Sequence, residues 1–316
     1  MKKILNKFKL RDYGVLLGFL ALCIAISMAT PAFLSKQNIL NLLRQSSIIG
    51  IISAGMTFVI ISGNFDISVG AVAALAGVVT MKLATGGTNL FVAMLVALVA
   101  CAVIGLINGF AVAKINIPSL IATMAMITIV RGILLMLTGG YPITETIPVL
   151  DYLGNGYIVG IPVPVIVFFL VVLLGFIVIT KTKFGRYVYS VGGNQDASKL
   201  NGINVDSYKI KVFVINAVLA GIAGLVLTGR LGTATPVAGE GYDMDAIASV
   251  VIGGTSVSGG SGSVLKTVIG VLLMSVINNS FNLLGIDIYF QYIFKGLIIL
   301  AAVGFDSYSK KKLASR

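Results

Sequence analysis

Gly260–Thr267 reads G-S-G-S-V-L-K-T, close to the phosphate-cradling pattern G-x-x-x-x-G-K-[ST]. Leu265 stands where the second glycine is needed. The segment also opens an apolar stretch instead of following a buried strand, which argues against a nucleotide site. Lys266 reads as an anchor at a membrane surface. The chain contains no histidine, which excludes His-based proteolysis and H-E-x-x-H metal chemistry. Cys23 and Cys101 both fall in apolar stretches, so no disulfide framework is implied, and no zinc or haem site. No cofactor and no metal are expected. A lone Ser or Asp without a base is not a catalytic site. Asp66 reads as a wet residue at the mouth of a tight turn, satisfied by Ser68 or by backbone amides. No other acid falls well inside an apolar stretch, which weakens a proton- or ion-relay reading. Arg131 and Lys295 do lie in such stretches, and both can snorkel to the outer water. Their alternative role is to shape an outer vestibule.

Polar side chains recur along the apolar stretches: Ser53, Thr57 and Ser62, then Asn108, Thr123, Thr128, Asn216, Asn278, Asn279 and Asn282. Such groups can simply glue helices together. They equally suit a path for an uncharged polyhydroxy solute. Moving one hydroxyl into an apolar medium without a partner costs about 2–7 kcal/mol, so a sugar needs a polar or wet route. Thr57, Asn64, Asn108, Asn278 and Asn282 are the candidate path residues. Asn278 and Asn282 are four apart and share a helix face.

Apolar residues make up 57% of the 316-residue chain and charged residues 11%, with a mean hydropathy of +1.03. A soluble domain of that composition would have no polar surface for water. The apolar blocks are continuous and near the roughly 20 residues that cross a hydrocarbon core, so helices, not a barrel, are expected. The expected fold is an all-α integral membrane protein, one domain over 1–316, a polytopic bundle of about ten transmembrane helices. The spans are 13–30, 47–62, 69–84, 90–113, 118–137, 163–180, 210–228, a half-span or tilted span at 246–253, 264–284 and 288–305. Residues 34–45 read as an amphipathic outer segment, and 63–68 as an inner turn. The first span is read as uncleaved, because its apolar stretch is too long for a signal peptide. Two segments look alike, 59–70 (VIISGNFDISVG) and 250–262 (VVIGGTSVSGGSG). Interrupted helices in two halves of a transporter mark a transport path, although Gly and Ser also break helices wherever a tight turn is needed.

The net charge of +12 is distributed, not patched, which argues against nucleic acid. Lys2, Lys3, Lys7, Lys9 and Arg11 precede the first span, and Lys310, Lys311, Lys312 and Arg316 end the chain. Lys181, Lys183, Arg186, Lys199, Lys209 and Lys211 surround one central loop. The positive-inside rule places that loop and both termini in the cytoplasm. Within the loop, Asn194 can cap a short helix over 195–201 that Gly202 stops in left-handed geometry. Asp196 in its first turn and Lys199 near its last suit the helix dipole. This segment reads equally as a docking helix for a cytoplasmic partner and as an inside-positive loop with incidental helicity. A thiol placed at Ser198 would report its side of the membrane.

Five segments carry a resemblance over nearly the whole chain: GMTFVIISGNFDISVGA (55–71), GRYVYSVGGNQDASKLNGINV (185–205), AGEGYDMDAIASVVIGGTSVSGGSGSV (238–264), NNSFNLLGI (278–286) and QYIFKGLIILAAVGFD (291–306). Together they resemble the sugar permeases of bacterial ATP-binding-cassette (ABC) importers, those for ribose most closely. Asn64 and Ile67 depart from the family's usual glycine and leucine. The resemblance implies a multi-pass subunit of the bacterial inner membrane that pairs with a second, identical permease. It also implies a separate ABC ATPase, an extracellular sugar-binding protein and a monosaccharide substrate. The chain itself would not be an enzyme. The resemblance makes 185–205 the cytoplasmic coupling segment, with Arg186, Asn194, Ala197, Leu200 and Gly202 as ATPase contacts. The alternative is an ion-coupled secondary sugar transporter.

Overall fold

The computed structural model describes the backbone of residues 2–314 and the side chains of residues 15–301, 303 and 304. The basic side chains expected to mark the two ends, from Lys2 to Arg11 and from Lys310 to Arg316, lie outside the described side chains. Helix α1 (Lys2–Ala29) leads through a 3₁₀ turn (Pro31–Leu34) into α2 (Lys36–Ile61), α3 (Val69–Thr85), α4 (Leu90–Ala113) and α5 (Ser119–Thr138). Strand β1 (Ile143–Thr144), α6 (Pro148–Asn155) and a hairpin of β2 (Tyr157–Ile158) and β3 (Ile161–Pro162) fill the next connection. Then come α7 (Val163–Lys181), α8 (Lys183–Gly193), α9 (Gln195–Leu200) and α10 (Val205–Leu231). Strand β4 (Thr233–Ala234), α11 (Tyr242–Ile252), α12 (Val264–Leu283) and α13 (Ile288–Ala314) complete the chain. Among the described residues, α2, α4, α5, α7, α10 and α12 are long and apolar enough to cross a bilayer. Shorter apolar stretches lie in α1, α3 and α13. The chain is an all-α membrane protein; its strands are two-residue pairings in connections.

Helix α10 is central, with α2, α3 and α4 packed around it. In lipid, helices associate through close approach and dispersion, so small residues sit at the contacts. A Cβ on Gly105 would lie 2.7 Å from the Phe213 carbonyl oxygen, and one on Gly109 would lie 2.7 Å from Ile210 Cα. Only glycine lets α4 lie this close to α10. Helix α2 is buried at every position from Ser46 to Ile61. By contrast α4 presents Leu95, Val99, Leu106 and Phe110 outward, a surface suited to lipid.

Several boundaries differ from the sequence reading. The amphipathic segment 34–45 and the span 47–62 are one helix, because no Gly or Pro interrupts 36–49. Ser35 caps it, and the Ser46 and Ser47 hydroxyls bond back to the Leu42 and Leu43 carbonyls. The connection 138–161 holds α6, opened by Pro148 at a first-turn position that tolerates proline. The half-span is real in length: α11 has 11 residues, about 16 Å, against a core of roughly 30 Å. Residues 253–263 continue as non-helical backbone toward the end of α2, where the Gly260 N–H donates to the Ile61 carbonyl at 2.9 Å. Such backbone is tolerated at membrane depth only when protein covers it.

Two contacts show which connections share an end of the bundle. Lys114, just after α4, pairs with Asp206, at the start of α10, at 2.8 Å. At the other end, β1 pairs antiparallel with β4, with Ile143 opposite Ala234, joining the two connections read as outer.

Candidate functional site

The basic loop is built as two short helices joined at Asn194. Thr182 opens α8 by accepting from the Gly185 N–H at 3.3 Å, and Val188 and Val191 bury one face. Asn194 then turns the chain. Its backbone is extended, its N–H still closes α8 on Ser190, and its side chain caps α9 by accepting from the Ala197 N–H at 2.9 Å. Helix α9 ends as expected, with Gly202 left-handed at φ 75°. The pair is tied internally by Ser190 and Ser198, whose hydroxyls lie 2.9 Å apart, and to α10 by Lys209 donating to Gln195 at 2.9 Å.

This scaffold leaves Arg186, Asn194 and Ala197 exposed, and it holds Leu200 with 89% of its surface free. A leucine so exposed on a capped helix is an apolar knob left uncovered by the described residues. Gly202 lies beside it in a cleft shared with Lys199, Ile203, Asn204, Val205 and Asp206. Ser198 faces the opposite way and is 1% exposed, so it is a poor labelling position; Ala197 and Leu200 are the accessible ones. Helix α8 is the part that sequence reasoning missed. Its signal was present in the spacing of Phe184, Val188 and Val191, which places apolar groups on one face.

Helix α8 reaches into the membrane part. An aromatic chain links α2 to both neighbours: Phe58 lies 6.4 Å from Phe184, which lies 5.6 Å from Tyr208, which meets Tyr187 edge-on at 5.2 Å. The Tyr189 hydroxyl donates to the Gly262 carbonyl at 2.8 Å. Burial raises the Tyr189 phenol above its ordinary range.

The five candidate path residues do not converge on one cavity. The Thr57 hydroxyl meets that of Thr267 at 2.9 Å between α2 and α12. Asn64 turns back on Ser62, at 3.1 Å from its hydroxyl. Asn108 donates to the Ser68 hydroxyl at 3.0 Å. Asn278 donates to Asp245 at 3.3 Å. Asn282 is exposed and accepts from Gln291, so the shared face with Asn278 runs from interior to surface as α12 ends.

Four charged groups depart from expectation. Asp66 is not wet; it is 1% exposed. It accepts from the Ser68 N–H at 3.0 Å, the Ser68 hydroxyl at 2.6 Å and Asn216 at 3.0 Å. Its acceptor for the Ser68 N–H sits just before the first turn of α3, where a buried backbone donor needs a partner. Removing it in Asp66→Leu strands three donors at about 1–3 kcal/mol each. The expected result is a large loss of folded protein in membranes, read by detergent-extraction size exclusion, with Asp66→Asn much closer to the parent. Lys295 and Arg131 do not snorkel. Lys295 Nζ lies 3.1 Å from a carboxylate oxygen of Asp245, and Arg131 donates to the Pro236 and Ala238 carbonyls. Asp245, read as a loop residue, is a second buried carboxylate at the start of α11.

An all-helical bundle with interrupted helices and a projecting basic helix pair defines a membrane permease component, and the comparisons agree. The chain belongs to the family described as the branched-chain amino acid transport system permease component, whose pattern matches residues 38–303. It is similar to the ribose import permease protein of Haemophilus influenzae, 43% identical over 304 residues and covering 94% of each chain. It is similar to the ribose import permease protein of Bacillus subtilis, 42% identical over 299 residues, covering 94% of this chain and 93% of the other. The xylose transport system permease protein of Haemophilus influenzae is 35% identical over 374 residues, covering 97% of this chain and all of the other. No solved structure matches the chain.

Proposed function

We propose that this chain is the membrane-spanning permease of an ATP-driven importer for ribose or a similar monosaccharide. It is one transmembrane domain over 1–316 in the bacterial inner membrane, working as a pair of identical copies. Counting α11 with its turn, ten segments cross, and both termini lie in the cytoplasm with α8 and α9. A binding protein delivers sugar to the outer face. A separate ATPase docks on Arg186, Asn194, Ala197, Leu200 and Gly202. The chain itself binds no nucleotide and no nucleic acid. Thr57, Asn64, Asn108, Asn278 and Asn282 are polar points along the route. They become a continuous path only when the bundle changes shape, because here they pair with separate neighbours.

The observation that carries this reading is Leu200: a rigidly presented, almost fully exposed apolar residue on the basic side of the bundle. The similarity to pentose permeases supports the substrate class. Reconstitution in vesicles with the ATPase and binding protein is expected to give uptake of labelled ribose that requires ATP. Impermeant maleimide is expected to label Leu200→Cys only in inside-out vesicles; labelling from outside intact cells overturns the orientation.

Asp66 supports the other reading, an ion-coupled secondary transporter. It is a buried carboxylate with no cationic side chain within ion-pair distance among the described residues. That reading requires uptake by the chain alone under a proton or sodium gradient, and the same vesicles without ATPase test it.

A further inference from the structure

The two look-alike turns, 59–70 and 250–262, touch each other, and the end of α8 lies against both. The Gly260 N–H bonds the Ile61 carbonyl at 2.9 Å. A Cβ on Gly192 would collide with that same Ile61 carbonyl oxygen and fall 2.8 Å from Gly260 N. A Cβ on Gly260 would lie 2.7 Å from Gly193 Cα. One on Gly259 would lie 2.7 Å from the Gly192 carbonyl oxygen and 2.9 Å from Gly63 Cα. Three stretches of backbone from distant parts of the chain thus meet with no side chain between them. The Tyr189 hydroxyl adds a bond to the Gly262 carbonyl in the same turn. Backbone packed this closely transmits displacement without first taking up slack, because there is no rotamer to adjust.

We propose that Tyr189 and Gly192 of α8 are positioning residues that carry a push on α9 to both membrane turns at once. The inference rests on the coupling role proposed for α9, and it separates docking from transmission. Helix α9 is the end that is gripped. The Ser190–Ser198 contact and the Asn194 turn pass movement to α8. Gly192 bears on Ile61 and Gly260, while Tyr189 holds Gly262. One motion therefore reaches the end of α2 and the start of α12 together.

The test uses the complete complex of permease, ATPase and ribose-loaded binding protein in vesicles. Three quantities are read for each variant: permease content, co-purification of the ATPase, and the ratio of sugar-stimulated to basal ATP hydrolysis. Tyr189→Phe removes one hydroxyl and leaves the ring. The expected result is normal content, normal ATPase association, and a stimulation ratio lowered roughly two- to tenfold, the change one net hydrogen bond carries. Gly192→Ala is expected to lower the ratio further. An unchanged ratio in Tyr189→Phe overturns the proposal, as does loss of ATPase association, which would make Tyr189 part of the docking surface. Normal coupling in Gly192→Ala overturns the role of the glycine contact. If the parent chain captures no ATPase, the underlying reading of function fails instead, and that outcome is seen before any variant is compared.

Discussion

Leu200→Asp is expected to abolish ATP-dependent uptake while the protein stays inserted and folded. Leu200 makes almost no contact within the chain, so its replacement costs little in the isolated bundle. In a docked complex the leucine is covered, and covering a leucine side chain contributes about 1.5–3 kcal/mol. An aspartate there loses that term and also buries a charge without a partner. Together these weaken docking by at least about 3 kcal/mol, roughly a hundredfold. The measurement is ATPase co-purification with the permease, alongside labelled ribose uptake at matched permease content. Sugar-stimulated ATP hydrolysis at the parent level would sink the docking role. Leu200→Met is expected to retain most activity, because it keeps an apolar knob of similar volume.

Lys295→Met is expected to be the most destabilising single change outside the turns. Asp245 is 5% exposed and its only cationic partner among the described residues is Lys295, with Asn278 as an amide donor. Removing one member of a buried ion pair costs about 3–5 kcal/mol, because the other charge is left uncompensated. The pair holds α11 to α13, so the loss is expected as earlier thermal unfolding in detergent and as release of α13 to protease. Asp245→Leu combined with Lys295→Met is expected to recover much of the loss, since two apolar groups replace two charges. A single variant as stable as the parent would show that the pair contributes nothing.

The sequence carried the helical bundle, the short α11, and the capped α9 down to the Gly202 stop, because each follows from local rules of length, hydropathy and capping. It carried the basic loop as a candidate docking element through the resemblance; the structure adds that Leu200 points out while Ser198 points in. What it did not carry was where charges go. Asp66, Asp245, Arg131 and Lys295 were assigned to water because a lone charge near a span end has water within reach. Each instead found a partner from a distant segment: Asn216 for Asp66, Lys295 for Asp245, the 236–238 backbone for Arg131. Pairings of that kind depend on helix rotation, which hydropathy does not fix. The neighbours of the path residues depend on helix rotation in the same way. Polarity alone marked Thr57 and Asn278, but only packing decides whether they face a solute or a neighbour.

Asn38 and Asn279 exchange two amide bonds, at 3.0 and 2.8 Å, in the first turn of α2. At the other end of the same helix, Ile61 is fastened to Gly260. Helix α2, 26 residues from Lys36 to Ile61, is an unbroken rod of about 39 Å. Joined at both extremities, this rod and the α12 limb cannot scissor about a single pivot. A push at the Ile61 end is therefore carried to the Asn38 end, a rod's length away, with no hinge between.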